Sequence, residues 1–208
     1  MEQKQHLIQS FRIAAEKVSS IVSEVATLDQ AFYYAVNLCE HKEACRLLIS
    51  GCEAPLSSSA DALCDLRQKK LIAAPLLKEK DAARLATLCD ERGIGFIREG
   101  LRKHLAGIDI GFAMVDFGIA ETGTLVIDSS NEDLRLATMI SEIHVAVLPK
   151  SRIRSTALEL EAELLEMMGA APNYCAFITG ASRTADIERV LALGVHGPLE
   201  LHILLMEA

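Results

Sequence analysis

The chain has 208 residues, about the length of one domain; half are apolar, 4% are aromatic and 24% are charged. That composition excludes a disordered chain and describes a globular protein with an aliphatic core. The formal net charge is -8, and the Lys and Arg residues are dispersed apart from short pairs such as Lys69-Lys70. Without a basic run to follow phosphates, no nucleic acid is expected as a partner. The polar start "MEQKQHLIQS" has no apolar signal-peptide region, and no apolar stretch approaches the roughly eighteen residues of a membrane span, so no membrane span and a cytoplasmic location are expected.

Leu7, Phe11, Ala14, Val18, Ile21, Val22 and Val25 recur at helical spacing and predict one amphipathic helix. Thr27 followed by Gln30 resembles a capping box and opens a second helix from about Asp29 to Ala44. The two helices give an N-terminal helical extension over residues 1–50, layered on the domain or serving a subunit contact. After Gly51 and Pro55, "SSSADALCDLRQKK" (57–70) reads as a short helix and "LIAAP" (71–75) as a buried strand. Residues 79–92 are helical up to Gly93, and "IGFIR" (94–98) is the next strand.

The stretch "IDIGFAMVDFGIAETGTLVIDSS" (108–130) has two extended apolar runs joined by a loop from Gly118 to Gly123, which predicts a meander or hairpin. A short helix near Asn131 to Met139 leads into "EIHVAVL" (142–148), the apolar run of a strand buried on both faces. Thr156 and Glu159 form a second capping-box pair, with Leu158, Ala162 and Leu165 on the face of a helix that packs on the sheet. "YCAFITG" (174–180) is a strand, "TADIERVLALG" (184–194) a helix and "ELHILLME" (200–207) a closing strand. Alternating strands and helices predict an α/β fold over residues 51–208: a three-layer α/β/α sandwich with a mixed, mostly parallel sheet.

The six cysteines, Cys39, Cys45, Cys52, Cys64, Cys89 and Cys175, contain no CxxC pair and match no iron–sulfur spacing. They read as reduced, buried thiols, with no metal and no cofactor expected in this chain. His144 and His202 lie inside apolar strands and read as satisfied core histidines.

Chemistry concentrates in three loops. In open α/β sheets ligands bind beyond the carboxyl ends of the strands, where Thr179 to Thr184 are expected. A helix starting near Thr184 offers free backbone N–H groups, Gly180 permits close approach, and Ser182, Arg183 and Thr184 add donors for a small anionic ligand. The same residues also fit a simpler reading, in which Thr184 is an N-cap and Arg183 pairs with Asp186. In "GVHGP" (194–198), His196 stands beside Gly197 and is either a titrating catalytic group or a structural loop residue. Glu121 precedes Thr122, Gly123 and Thr124, where its carboxylate acts as nucleophile or base, or is simply a solvated turn residue. All three loops are expected to converge on one pocket at the carboxyl edge of the sheet.

The segments "AETGTLVI" (120–127), "EIHVAVL" (142–148), "TGASRTADIE" (179–188) and "LGVHGPLELHILL" (193–205) resemble the LUD-domain family of the lactate utilization protein C type over about residues 70–208. One departure is Ala181, where the family often has proline; the loop keeps its donors. The resemblance implies a fold akin to sugar-phosphate isomerases, glucosamine-6-phosphate deaminase, CoA transferases and 5-formyltetrahydrofolate cyclo-ligase. It further implies a role in oxidising L-lactate to pyruvate as the non-cluster subunit beside two iron–sulfur partner proteins. Glu121-Thr122-Gly123 looks similar to the Glu-Asn-Gly loop that carries the catalytic glutamate of CoA transferases, with a different middle residue. An alternative is an autonomous enzyme or metabolite-binding protein acting on an organic acid, sugar phosphate or CoA ester through Glu121 and the Arg183 and His196 loops.

Overall fold

The structure, a computed structural model, describes residues 2–42, 69–104, 107–169, 171, 173–184, 192–193 and 197–207. Six strands form the main sheet: β1 (Ile21–Val25), β2 (Leu71–Ala73), β3 (Gly95–Ile97), β4 (Ile108–Met114), β7 (Ser141–Pro149) and β12 (Glu200–Met206), in the order β1-β12-β7-β4-β2-β3. Every pair in it is parallel. The central strands β4, β7 and β12 are near-continuous apolar runs because helices and a second sheet cover both of their faces. Antiparallel pairing enters with that second sheet, built from β5 (Phe117–Ile119), β6 (Thr124–Asp128), β8 (Ile153–Arg154) and β9 (Cys175–Ile178) in the order β8-β5-β6-β9. The meander of residues 108–130 is thus split. Its first strand belongs to the main sheet, and the other two form a hairpin in the second. The protein has the expected α/β architecture, mostly parallel with a mixed component.

Helices α2 (Leu28–His41) and α3 (Glu79–Glu91) cover one face of the main sheet. Phe32, Ala35 and Leu85 pack there on Ile72, Ile110, Phe112, Val145 and Leu204, and the Phe32 and Phe112 rings meet at 5.4 Å between centroids. The other face carries α1 (Glu2–Lys17), α4 (Glu132–Ile140) and the second sheet, through Phe11, Ala15, Leu134, Leu125 and Ile127 against Ala113, Ala146, Leu148, Ile203 and Leu205. Among the described residues no helix is long and apolar enough to cross a membrane.

Three elements differ from the sequence-based expectation. The first helix stops at Lys17, because Ser19 turns left-handed (φ 62°) and Ile21–Val25 pairs with β12 as an edge strand. Phe11, Ala15 and Phe32, from residues 2–42, are fully buried in the cores that the sheet builds. Thr27 does cap α2, its Oγ1 accepting from the Gln30 N–H at 3.3 Å while Gln30 Oε1 accepts from Ala26 N–H at 2.7 Å.

After Thr156, a 3-10 turn (Ala157–Leu160) precedes α5 (Glu161–Met168), and Leu160 is the buried residue, whereas Leu158 and Leu165 stay exposed. Thr156 forms no side-chain cap; Glu159 instead accepts from the Ser155 N–H at 2.9 Å. Last, Arg183–Thr184 (β10) pairs antiparallel with Ala192–Leu193 (β11), so the predicted helix does not begin at Thr184. The helix expected over residues 57–70 falls outside the described residues except at its final two positions, and residues 185–191 also lie outside them.

Candidate functional site

The candidate loops gather around the last turn of α1. The N–H groups of Val18 and Ser20 both donate to the Ala15 carbonyl, and left-handed Ser19 swings the chain directly into β1. Gly123, at φ 67°, lies under this turn: a Cβ there would stand 2.3 Å from the Ala15 nitrogen. Gly180, at φ 76°, approaches from another side, where a Cβ would stand 2.3 Å from the Val18 carbonyl oxygen. Arg183 Nη2 donates to that same oxygen at 2.6 Å. Both glycines thus serve close backbone approach, for which only a residue without Cβ fits.

Side-chain hydroxyls connect the same loops. Thr122 Oγ1 and Thr124 Oγ1 are 2.7 Å apart, and Thr124 Oγ1 and Thr179 Oγ1 are again 2.7 Å apart. The chain forms because β6 and β9 pair, with Leu125 opposite Ile178. Ser182 N–H donates to the Pro198 carbonyl at 2.9 Å, and Gly197 lies against the Ser182 side chain. Glu121 is exposed, its N–H donating to the Ser155 carbonyl at 3.0 Å. A groove of about 470 Å³ runs between Ile13, Ala14 and Lys17 of α1 and the Ala120–Thr122 turn.

Thr122, Gly123, Thr124, Gly180, Ser182, Arg183 and Gly197 therefore share one neighbourhood, and Glu121 stands at its groove. Thr184 lies in β10 beside Arg183, while Asp186 and His196 lie outside the described residues. The location differs from the expected one. Val18 precedes β1, Pro198 precedes β12, and the Leu199 N–H donates to the Glu142 carbonyl near the start of β7. The loops thus cluster at the amino edge of the parallel sheet, not at its carboxyl edge. The reason is that β9, which leads into them, belongs to the second sheet, where its neighbour β6 runs antiparallel. The carboxyl-end rule for parallel sheets does not govern it.

Other polar groups hold the frame. Lys42 Nζ donates to Asp109 Oδ1 at 2.8 Å and Glu142 Oε2 at 3.1 Å, and Asp109 Oδ2 accepts from the Leu71 N–H, tying the end of α2 to the starts of β2, β4 and β7. At the opposite edge Lys150, mostly buried, bonds Glu24 at 2.6 Å and also Glu207. Those contacts hold Glu24 below the usual carboxylate range, the Lys150 hydrogen bond first among the causes. Sequence reasoning missed both clusters, since their members lie far apart in the chain and join only where parallel strands begin or end.

His202 is satisfied, its Nδ1 2.8 Å from the Tyr34 hydroxyl and its Nε2 2.7 Å from Glu200. His144 is not: it is fully buried, neither ring nitrogen has a hydrogen-bond partner among the described residues, and burial pushes its pKa down to about 4.

Comparison with known proteins places the chain in a family. A lactate utilization protein C from Geobacillus kaustophilus is 38% identical over 95 residues, covering 44% of this chain and 40% of that protein. One from Halalkalibacterium halodurans is 35% identical over 102 residues, 48% of this chain and 44% of that protein. An uncharacterised protein of Neisseria meningitidis is 36% identical over 141 residues, 65% of this chain and 60% of that protein. The matches to the lactate utilization proteins thus span less than half of their length. The crystal structure of a DUF162 family protein from Deinococcus radiodurans shares the fold, with a TM-score of 0.61 at 16% identity over 98% of each chain. The LUD domain model matches residues 8–206, so the chain belongs to the LUD domain family.

Proposed function

We propose that this chain acts in lactate utilization, as the subunit without iron–sulfur clusters in a system that oxidises L-lactate to pyruvate beside iron–sulfur partner proteins. The observation that carries the reading is its 35–38% identity to proteins named lactate utilization protein C. Cluster ligation falls to the partners in this reading: among the described cysteines, Cys39 and Cys89 are fully buried on α2 and α3, and burial pushes each thiol up to about 12.

In this role the groove between α1 and the Ala120–Thr122 turn receives a small anionic ligand. Lys17 supplies the positive charge, Thr122 a hydroxyl and Glu121 a carboxylate at the groove wall for proton transfer. The test is affinity capture from lactate-grown native cells, with iron, sulfide and lactate-dependent electron transfer measured on the captured material. Co-capture of iron–sulfur proteins with lactate-oxidising activity is expected, together with loss of growth on L-lactate when the gene is deleted. Iron-free captured material and unimpaired growth on L-lactate would sink the proposal.

A further inference from the structure

A separate cavity lies where the connections of the parallel sheet diverge. The chain leaves β2 toward the face covered by α2 and α3, and β3 then adds to the outer side of β2. It leaves β4, the other neighbour of β2, toward the face that carries the second sheet. Exits that part to opposite faces open a crevice beyond the carboxyl ends of the two strands, the usual ligand position in open α/β sheets. A cavity of about 210 Å³ occupies this place, walled by Leu76 and Leu77 from the β2 exit, Met114 and Asp116 from the β4 exit, and Asp128 and Leu134.

We propose that this crevice binds a small uncharged or cationic molecule that donates hydrogen bonds to Asp116. Asp116 Oδ2 accepts from the Asp128 N–H at 2.8 Å, and among the described residues its Oδ1 takes no hydrogen bond. Burial raises its carboxyl above the ordinary range; the nearby Asp128 charge adds to this, while the Asp128 N–H and Arg152 oppose it. A donor from a ligand would complete the hydrogen bonding of this partly buried carboxyl, and a positive charge would favour its ionised form. Among the described residues the other walls are apolar apart from Asp128, and no cation lines the cavity. A carboxylate or phosphate would therefore meet two acids, with Arg152 acting on Asp116 only from beyond the walls, so this site disfavours the anions expected at the α1 groove. Leu76 adds a structural sign: it holds a left-handed backbone (φ 61°) that bulky residues rarely adopt, and the residue is 62% exposed.

The inference stands independently of the lactate role, and its test uses the full chain alone. Calorimetric titration with three series at millimolar concentration, small primary amines, small polyols and carboxylates including L-lactate, reads the ligand class. Saturable binding of an amine or polyol is expected, weakened at least tenfold by Asp116→Asn, with the unliganded melting temperature unchanged or raised. The Asp116 carboxyl ¹³C resonance of the unmodified protein should shift with the same ligand, which decides the matter if the variant misfolds. The proposal is overturned if neither amines nor polyols bind, if their binding survives Asp116→Asn, or if the Asp116 resonance shifts only with carboxylates.

Discussion

His144→Leu is expected to stabilise this protein, and to do so increasingly as the solution is acidified. His144 sits in β7 on the face shared with Ala146 and Leu148, both in the apolar cluster under α1 and the second sheet. The side chain is fully buried with neither ring nitrogen bonded among the described residues, and burial lowers its pKa from 6.5 to about 4. For a base whose folded pKa lies below its unfolded one, the unfolded chain binds the extra proton between those values. Stability is then lost as pH falls through 6.5 and levels off near 4. At about 1.4 kcal/mol per pH unit, that window amounts to about 3 kcal/mol.

Leucine removes the proton site and the desolvated nitrogens together, at a similar volume. The variant should match or exceed the parent by about 1–3 kcal/mol at pH 7. Its advantage should widen by about 3 kcal/mol between pH 6.5 and 4. Urea unfolding followed by far-ultraviolet circular dichroism at stepped pH measures both numbers; the chain has no Trp to report by fluorescence. Carboxylates also titrate in this range, but they do so in both proteins, so the difference isolates His144. A difference constant from pH 7 to 4 would refute the reasoning, because it would mean that the imidazole titrates alike in the folded and unfolded states.

Gly123→Ala should cost about 2–4 kcal/mol in the same unfolding assay, since it adds a Cβ against the Ala15 backbone on top of left-handed strain. Gly93→Ala, equally left-handed at φ 65° but with nothing within 4 Å, should cost only about 1–2 kcal/mol; equal losses would remove the argument for close approach to α1. Lys42→Ala should cost about 3–5 kcal/mol by stripping a partner from Asp109, whose side chain is 2% exposed, and Lys42→Ala/Asp109→Asn should recover part of that loss in the same assay.

The alternation of strands and helices was legible because β7 and β12 are near-continuous apolar runs and α2 announces itself with Thr27 and Gln30. The edge strand β1 was not, because Ile21, Val22 and Val25 continue the helical spacing of α1, and Ser19 turns left-handed with no glycine to mark the break. In α5 the pattern read Leu158 and Leu165 as buried when Leu160 is, since a 3-10 turn over 157–160 shifts the phase of the helix that follows. The candidate loops were identifiable by their glycines and hydroxyls. Their joint position was not, because it depends on β9 joining the second sheet, and strand partners separated by 50 residues leave no local trace.

That position changes the chemistry the amino-edge loops can perform. A helix opening at Thr184 would have turned free N–H groups and a positive partial charge toward a ligand. Instead Thr184 is engaged in a two-residue ladder with β11, and the helix end that does face the loops is the carboxyl end of α1, carrying about half a negative charge on its last carbonyls. Arg183 answers one of those carbonyls, that of Val18, so its first role is to neutralise the helix end and join β10 to α1. Gly180 lets it come that close, since any Cβ there would strike the same oxygen. An anion at this edge must therefore draw its charge partner from elsewhere, and among the described groove residues Lys17, the last residue of α1, is the cation in place to supply it beside Glu121 and Thr122. The glycine and arginine of "TGASRT" act on the helix, and the threonine hydroxyls linked through Thr179 connect that anchored corner to the turn where Glu121 meets solvent.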